Sequence, residues 1–348
     1  FRMPFCLGDA GSRAVDDAGI YQVTKATLTY NPPAGAAGFE QPPWHSKHAK
    51  VWSCRRVDEV VNGIRRQQVD GLPPGTTHHD LVEAIQSTGA KVYLFGGFVR
   101  DTIRARTAND IDLSFATDGQ AGIQRMVDMA AKRGWNATVG MSDGLYIKFG
   151  FFADGDDTGQ QVEGRVFCGL SGQPGWQMGD FACNSLLYCM ETNHVVDSTG
   201  HGVHDVLAIP TMKLRIPYTS KKDMWDHVMW PANPWGLLYR WYRFRARGLE
   251  PSTPEQRKYI LESTLKGEQD MSFRTTFKAC LGWDLEDRPN FFDKVRQAMT
   301  DDYNATFKLQ ILLRLRPNGQ EWFNSQINHW FNPAKAIRRS TIGGTMLQ

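Results

Sequence analysis

The sequence predicts an α+β protein whose strands and short helices mix through its middle third before giving way to helices alone. Three observations carry that reading. Residues 91–115, KVYLFGGFVRDTIRARTANDIDLSF, run strand, glycine turn, short helix, strand. Two further strand-like runs follow at 145–152 and 161–167. From residue 254 onward the apolar positions recur only at helical spacing.

Taken in order, residues 1–75 read as an irregular N-terminal extension, because clusters such as NPPAGAAG and QPPW favour extended, turn-rich chain. Within it, 47–68 is basic and partly amphipathic, a candidate helix that GLPPG at 71–75 ends. Thr77 is placed to cap a helix running to Ser87, with Leu81, Val82 and Ile85 on one face and Gly89 closing it. The apolar run Val92–Phe95 then reads as a strand that Gly96-Gly97 turns. A helix is expected over 119–133, with Ile123, Met126, Val127 and Ala130 as its apolar stripe. The loop ADGDDTG between the next two strands lacks the spacing of a calcium-binding loop and reads as a solvated hairpin turn. Further helices are expected over 254–265, 273–281, 291–299 and 306–315. The implied division is 1–75, 76–215, 216–330 and a tail at 331–348.

Composition bounds the function. With 41% hydrophobic and 22% charged residues, the chain can bury a core. No apolar run reaches the length of a membrane span. The net charge is only +3, so nucleic-acid binding would have to come from a local patch. Six cysteines without paired or framework spacing read as reduced, packed thiols of an intracellular protein. The chain opens at Phe1 rather than Met, which reads as a processed or trimmed N terminus and is compatible with the mitochondrial matrix.

The chemistry concentrates after the glycine turn. In an extended strand, residues i and i+2 share a face, so Asp110 and Asp112 would project side by side. Two carboxylates held that close repel each other, and a divalent cation relieves the repulsion. Oxygen ligands favour Mg²⁺ or Mn²⁺. Gly96-Gly97 lets backbone approach a ligand closely, and amides at a helix start suit phosphate. His201 and His204 are spaced i, i+3, but without a further ligand pair nearby they read as turn residues.

This stretch resembles the signature of the class II CCA-adding enzymes and bacterial poly(A) polymerases, within the polymerase-beta-like nucleotidyltransferase superfamily. That pattern runs GGxVRD, about eight residues, then DxD, and Gly96, Gly97, Arg100, Asp101, Asp110 and Asp112 supply it. Residues 178–206 resemble the family's second motif, RRDFTxNALAY with a following D…G…DL turn. Asp180, Phe181, Asn184, Leu186, Tyr188, Asp197 and Asp205 match, whereas Met178 and Gly179 replace the two arginines. Residues 233–244 resemble the helix EDPxRxxRxxRF, in which an acid, an aspartate and an arginine select the base. Arg240 and Arg243 match, but Asn233, Pro234 and Leu237 stand where that template belongs.

The resemblance covers about residues 77–248 and fades along the chain. It implies a nucleotidyltransferase head with a small mixed sheet and flanking helices, followed by a helical neck and body. It implies transfer of a nucleotide from ATP or CTP to an RNA 3′ end, such as that of a tRNA, with Mg²⁺ held by Asp110, Asp112 and Glu163. Three converging carboxylates are the usual requirement of two-metal phosphoryl transfer, although a lone strand glutamate such as Glu163 reads equally well as surface. Arg100 and the Gly96-Gly97 amides would bind phosphate, Asp101 would belong to the same nucleotide-binding site, and Asp180 and Asn184 would meet the ribose. Arg240, Arg243, Arg245 and Arg247, with Trp241 and Tyr242, would stack on and hold RNA, or form an ordinary helix with snorkelling arginines. The uneven loss of motif residues leaves a rival expectation: an inactive homologue serving as a protein subunit of a larger, mitochondrial assembly.

Overall fold

The computed structural model describes residues 18–23, 49–108, 111–117, 120–142, 146–153, 161–166, 180–217, 235–267 and 290–307. The chain divides into two compact units, Phe1–Ile209 and Pro210–Gln348.

The first unit is built on a nine-stranded sheet in the order β1-β2-β9-β8-β3-β4-β7-β6-β5. Its strands are β1 (Ile20–Val23), β2 (Lys50–Cys54), β3 (Lys91–Phe95), β4 (Leu113–Thr117), β5 (Asn136–Ser142), β6 (Tyr146–Phe152), β7 (Gln161–Val166), β8 (Leu186–Cys189) and β9 (His194–Asp197). Neighbours are antiparallel except β4 and β7, which run parallel, so the sheet is mixed as expected. It is larger than expected, because β1, β2, β5, β8 and β9 were not read as strands from the sequence. Helices α1 (Arg55–Arg65), α2 (His78–Gln86), α3 (Gly97–Ile103), α4 (Gln120–Lys132) and α5 (Gly202–Leu207) complete the unit.

The irregular extension expected before residue 76 does not hold for its described part. There β2 pairs with β9, β1 pairs with β2, and α1 follows directly. These strands are four and five residues long. Lacking the continuous apolar run that marks β3, they are fixed by the partner they meet more than by their own propensity.

β3 lies at the centre and is buried along its length except at Phe95. Tyr93 packs with Val51, Ala116, Leu187, Cys189 and Val196 to form the core of one sheet face. Lys91 survives burial because its ammonium reaches Glu191 at 2.6 Å, as a buried charge must find a partner. Farther along, Phe149 meets Phe115 edge-on at 5.3 Å, and Trp135 meets Phe151 at 6.2 Å. The expected helix at 77–87 is present. Thr77 accepts from the Asp80 amide, Asp80 accepts from the Thr77 amide, and Leu81, Val82, Ala84 and Ile85 are buried.

The second unit contains α6 (Trp235–Ala246), α7 (Pro254–Gly267) and α8 (Phe291–Phe307), with a parallel pair β10 (Lys213–Leu214) and β11 (Glu250–Pro251). The three helices close around Asp302, which is fully buried. Trp241 Nε1 donates to it at 3.1 Å, and Arg245 and Arg257 pair with it at 3.0 and 3.3 Å. Trp241 and Tyr242 are therefore core residues with no exposed ring to stack on RNA. The helices expected over 273–281 and beyond 307 lie outside the described residues.

Candidate functional site

The glycine turn is built by two backbone bonds. As β3 ends, the Phe95 amide donates to the Asp112 carbonyl at 3.1 Å, and the Gly96 amide donates to the Leu186 carbonyl at 2.9 Å. Gly96 thus sits between the start of β4 and the start of β8. Its φ of 62° with ψ of −113° is open only to glycine. A Cβ at this position would lie 3.5 Å from Asn184 Oδ1, so the second motif is packed directly against the first. The Gly96 carbonyl accepts from the Arg100 amide at 3.1 Å and opens α3.

Arg100 is 6% exposed. Its Nε and Nη2 donate to the two carboxylate oxygens of Asp101 at 2.9 and 2.7 Å, and its Nη1 donates to Asn184 Oδ1 at 2.9 Å. Burial works against the guanidinium charge, but the Asp101 carboxylate outweighs it and holds the arginine's pKa above its ordinary value. Asn184 passes the chain on, its Nδ2 donating to Asp180 Oδ1 at 3.0 Å, where the Phe181 amide also donates. Burial pushes the adjacent Cys183 thiol up, so it stays uncharged. Below this network, fully buried Asp197 accepts from Thr199, Gly200 and Val203 amides at 2.9–3.2 Å and shapes the turn into α5.

Gly96, Gly97, Arg100, Asp101, Asp112, Asp180 and Asn184 therefore belong to one neighbourhood. Arg100 enters it facing Asp101 and Asn184, an arrangement the sequence did not reveal. Asp112 is exposed and immediately precedes β4, which begins at Leu113 rather than at Asp110. Asp110, Met178 and Gly179 lie outside the described residues, as does the ADGDDTG loop beyond Ala153. Glu163 occupies β7 in register with Ser114, two residues from Asp112, and with Lys148 of β6. Its side chain lies outside what is described. Arg240 and Arg243 belong to the second unit. The Arg240 guanidinium lies over the Phe244 ring at 5.7 Å from its centroid, and Leu237 is core.

His201 and His204 stand at the start of α5, where His204 meets Trp52 edge-on at 5.4 Å. Among the described residues no group of three His, Cys, Asp or Glu is placed to hold a metal. No described helix is long and apolar enough to cross a membrane. The Leu186 carbonyl that anchors Gly96 escaped the sequence reading, since a backbone acceptor leaves no side-chain signal.

No protein-family model and no curated protein matches the chain. Among solved structures it is similar to a CCA-adding enzyme in an apo form, at 17% identity and a TM-score of 0.48 over 73% of this chain and 56% of that one. A CCA-adding enzyme with ATP is matched at 16% identity and a TM-score of 0.47, over 73% and 54% of the two chains. The Thermotoga maritima CCA-adding enzyme complexed with tRNA is matched at 16% and 0.46, over 74% and 57%. The chain thus spans little more than half the length of these structures.

Proposed function

We propose that this chain is a nucleotidyltransferase of the CCA-adding or poly(A) polymerase type, moving a nucleotide from ATP or CTP onto an RNA 3′ end. One observation carries the reading. Gly96, the Asp112 carbonyl and Asn184, drawn from motif stretches far apart in sequence, meet at one end of the sheet. That is where a signature of this kind requires its parts to meet.

The 3′-hydroxyl of the RNA gives up its proton to solvent as its oxygen bonds to the α-phosphorus, the bond between the α-phosphorus and the oxygen bridging to the β-phosphate breaks, and pyrophosphate leaves. The available donors are carboxylate oxygens, which fit a hard cation. Asp110, Asp112 and Glu163 would hold Mg²⁺, which when bound supplies charge stabilisation to the triphosphate and a lowered hydroxyl pKa. The bare backbone of Gly96-Gly97 leaves room for the triphosphate. Asp180 and Asn184, held by Arg100, are the ribose contacts. In this reading Arg100 holds those contacts in place as well as adding positive charge near phosphate.

Met178 and Gly179 bring no charge where the resembled motif has arginines. Two phosphate bonds at about 1.5–3 kcal/mol each correspond to a loss of roughly 10² to 10⁴ in affinity. Nucleotide binding is accordingly weak, and base choice is poor, since Leu237 is core. The same substitutions favour a second reading, a catalytically silent homologue acting as a structural subunit.

Incorporation of labelled ATP and CTP into a tRNA lacking its 3′ end separates the two, with Asp110→Ala and Asp112→Ala as controls. The proposal expects slow addition that both substitutions abolish. No incorporation above the alanine background overturns it.

A further inference from the structure

Between the glycine turn and Asp112 the chain carries a cationic cluster that the nucleotide site does not use. α3 ends at Ile103, whose carbonyl accepts from Arg56 Nη1 of α1 at 2.7 Å. Arg104 follows, half-buried, its Nη1 3.5 Å from the Ala208 carbonyl. Ala105 then takes a left-handed φ of 54°, and exposed Arg106 continues toward β4 with its amide on the Asp101 carbonyl. Among the described residues no carboxylate pairs with Arg104 or Arg106. Burial and the nearby Arg106 charge both hold the Arg104 pKa below its ordinary value.

Cations beside a helix C terminus are favourable in themselves, which accounts for Arg56 and for Arg104 on its carbonyl. It does not account for Arg106, which lies past the end of the helix and adds repulsion. An anion lying across the two guanidiniums would relieve that repulsion. α3 has seven residues and so is about 10 Å long. A triphosphate at the Gly96 end is therefore not the anion at the Arg104 end. What reaches both is a polymer with repeated phosphates.

We infer that Arg104 and Arg106 form a docking point for the phosphate backbone of the RNA strand whose 3′ end is presented at Asp112. The inference rests on the proposed transferase reading and names the face of the first unit along which its RNA runs. Guanidinium forks suit phosphate oxygens, and the contact specifies position on the strand rather than sequence.

The test is fluorescence anisotropy of a labelled tRNA lacking its 3′ end, titrated at several salt concentrations, with calorimetry of Mg²⁺-ATP binding alongside. Each lost phosphate contact lowers the slope of log K against log salt by roughly 0.7–0.9. Arg104→Gln/Arg106→Gln should flatten the slope by about 1.5, Arg106→Gln alone by about half that, and Arg104→Lys/Arg106→Lys should restore it. Mg²⁺-ATP binding should be unchanged throughout. Because exposed Arg106 has no side-chain partner to lose among the described residues, its single variant keeps the test valid if the double variant does not fold. An unchanged slope, or lysine variants that behave like the glutamines, overturns the inference while leaving the transferase reading intact. Loss of Mg²⁺-ATP binding in the native chain, with RNA binding and its slope changes retained, instead overturns the transferase reading and supports a phosphate contact here.

Discussion

Asn184 is the joint of the candidate site, and removing its carboxamide should be felt in stability before it is felt in chemistry. The side chain is 9% exposed and makes one hydrogen bond to each of two charged partners, Arg100 Nη1 at 2.9 Å and Asp180 Oδ1 at 3.0 Å. Bonds of that class contribute about 1.5–3 kcal/mol each. Neither ion is stranded by the loss, since Arg100 keeps Asp101 and Asp180 keeps the Phe181 amide. Asn184→Ala should therefore cost about 3 kcal/mol, near the lower end of the sum, read as a drop in the denaturant midpoint at unchanged m-value.

Asn184→Asp sharpens the test. It retains the acceptor for Arg100 but sets a carboxylate against Asp180, and two such groups cannot both ionise cheaply. The shared proton raises a folded-state pKa above its unfolded value. The variant's stability is thus fullest below about pH 4 and is lost as pH rises through the raised value. Asn184→Ala costing under about 1 kcal/mol, or Asn184→Asp showing no growing penalty between pH 4 and 7, would refute the coupling.

Three further outcomes are expected. A Cβ at Gly202 would lie 2.4 Å from the Ala182 carbonyl oxygen and 2.8 Å from Leu186 Cδ2; Gly202→Ala should destabilise the first unit by about 3 kcal/mol or more through overpacking, measured by thermal unfolding. Thr77→Ala should cost about 0.5–2 kcal/mol by removing the α2 cap. The Thr77 amide and hydroxyl hold the Asp80 carboxyl below its ordinary pKa, so its contribution is present above about pH 4 and fades on further acidification. Asp80→Asn should remove that acid-side slope from the stability profile.

The parts of the fold legible in the sequence are those set by neighbours a few residues apart. The strand at 91–95, its glycine turn, the capped helix at 78–86 and the helix at 120–132 follow from periodicity, a capping threonine and a backbone position only glycine accepts. β5, NATVGMS, carries too little alternation to announce itself and is defined by seven residue pairs with β6. β1 and β2 were hidden for a related reason, since β2 becomes a strand on meeting β9 nearly 150 residues later.

The candidate site divides along the same line. The glycine turn and strand spacing singled out Gly96 and Asp112, and the family resemblance singled out Arg100, Asp180 and Asn184, because each belongs to a short pattern of neighbouring residues. That Arg100 turns toward Asp101 and Asn184 depends on a residue 84 positions away. That Trp241 and Tyr242 are core depends on Asp302 arriving from another helix to meet Trp241, Arg245 and Arg257. Local preference decides which conformation a segment adopts. Burial decides which partner each polar group must find, and only the closed chain supplies that partner.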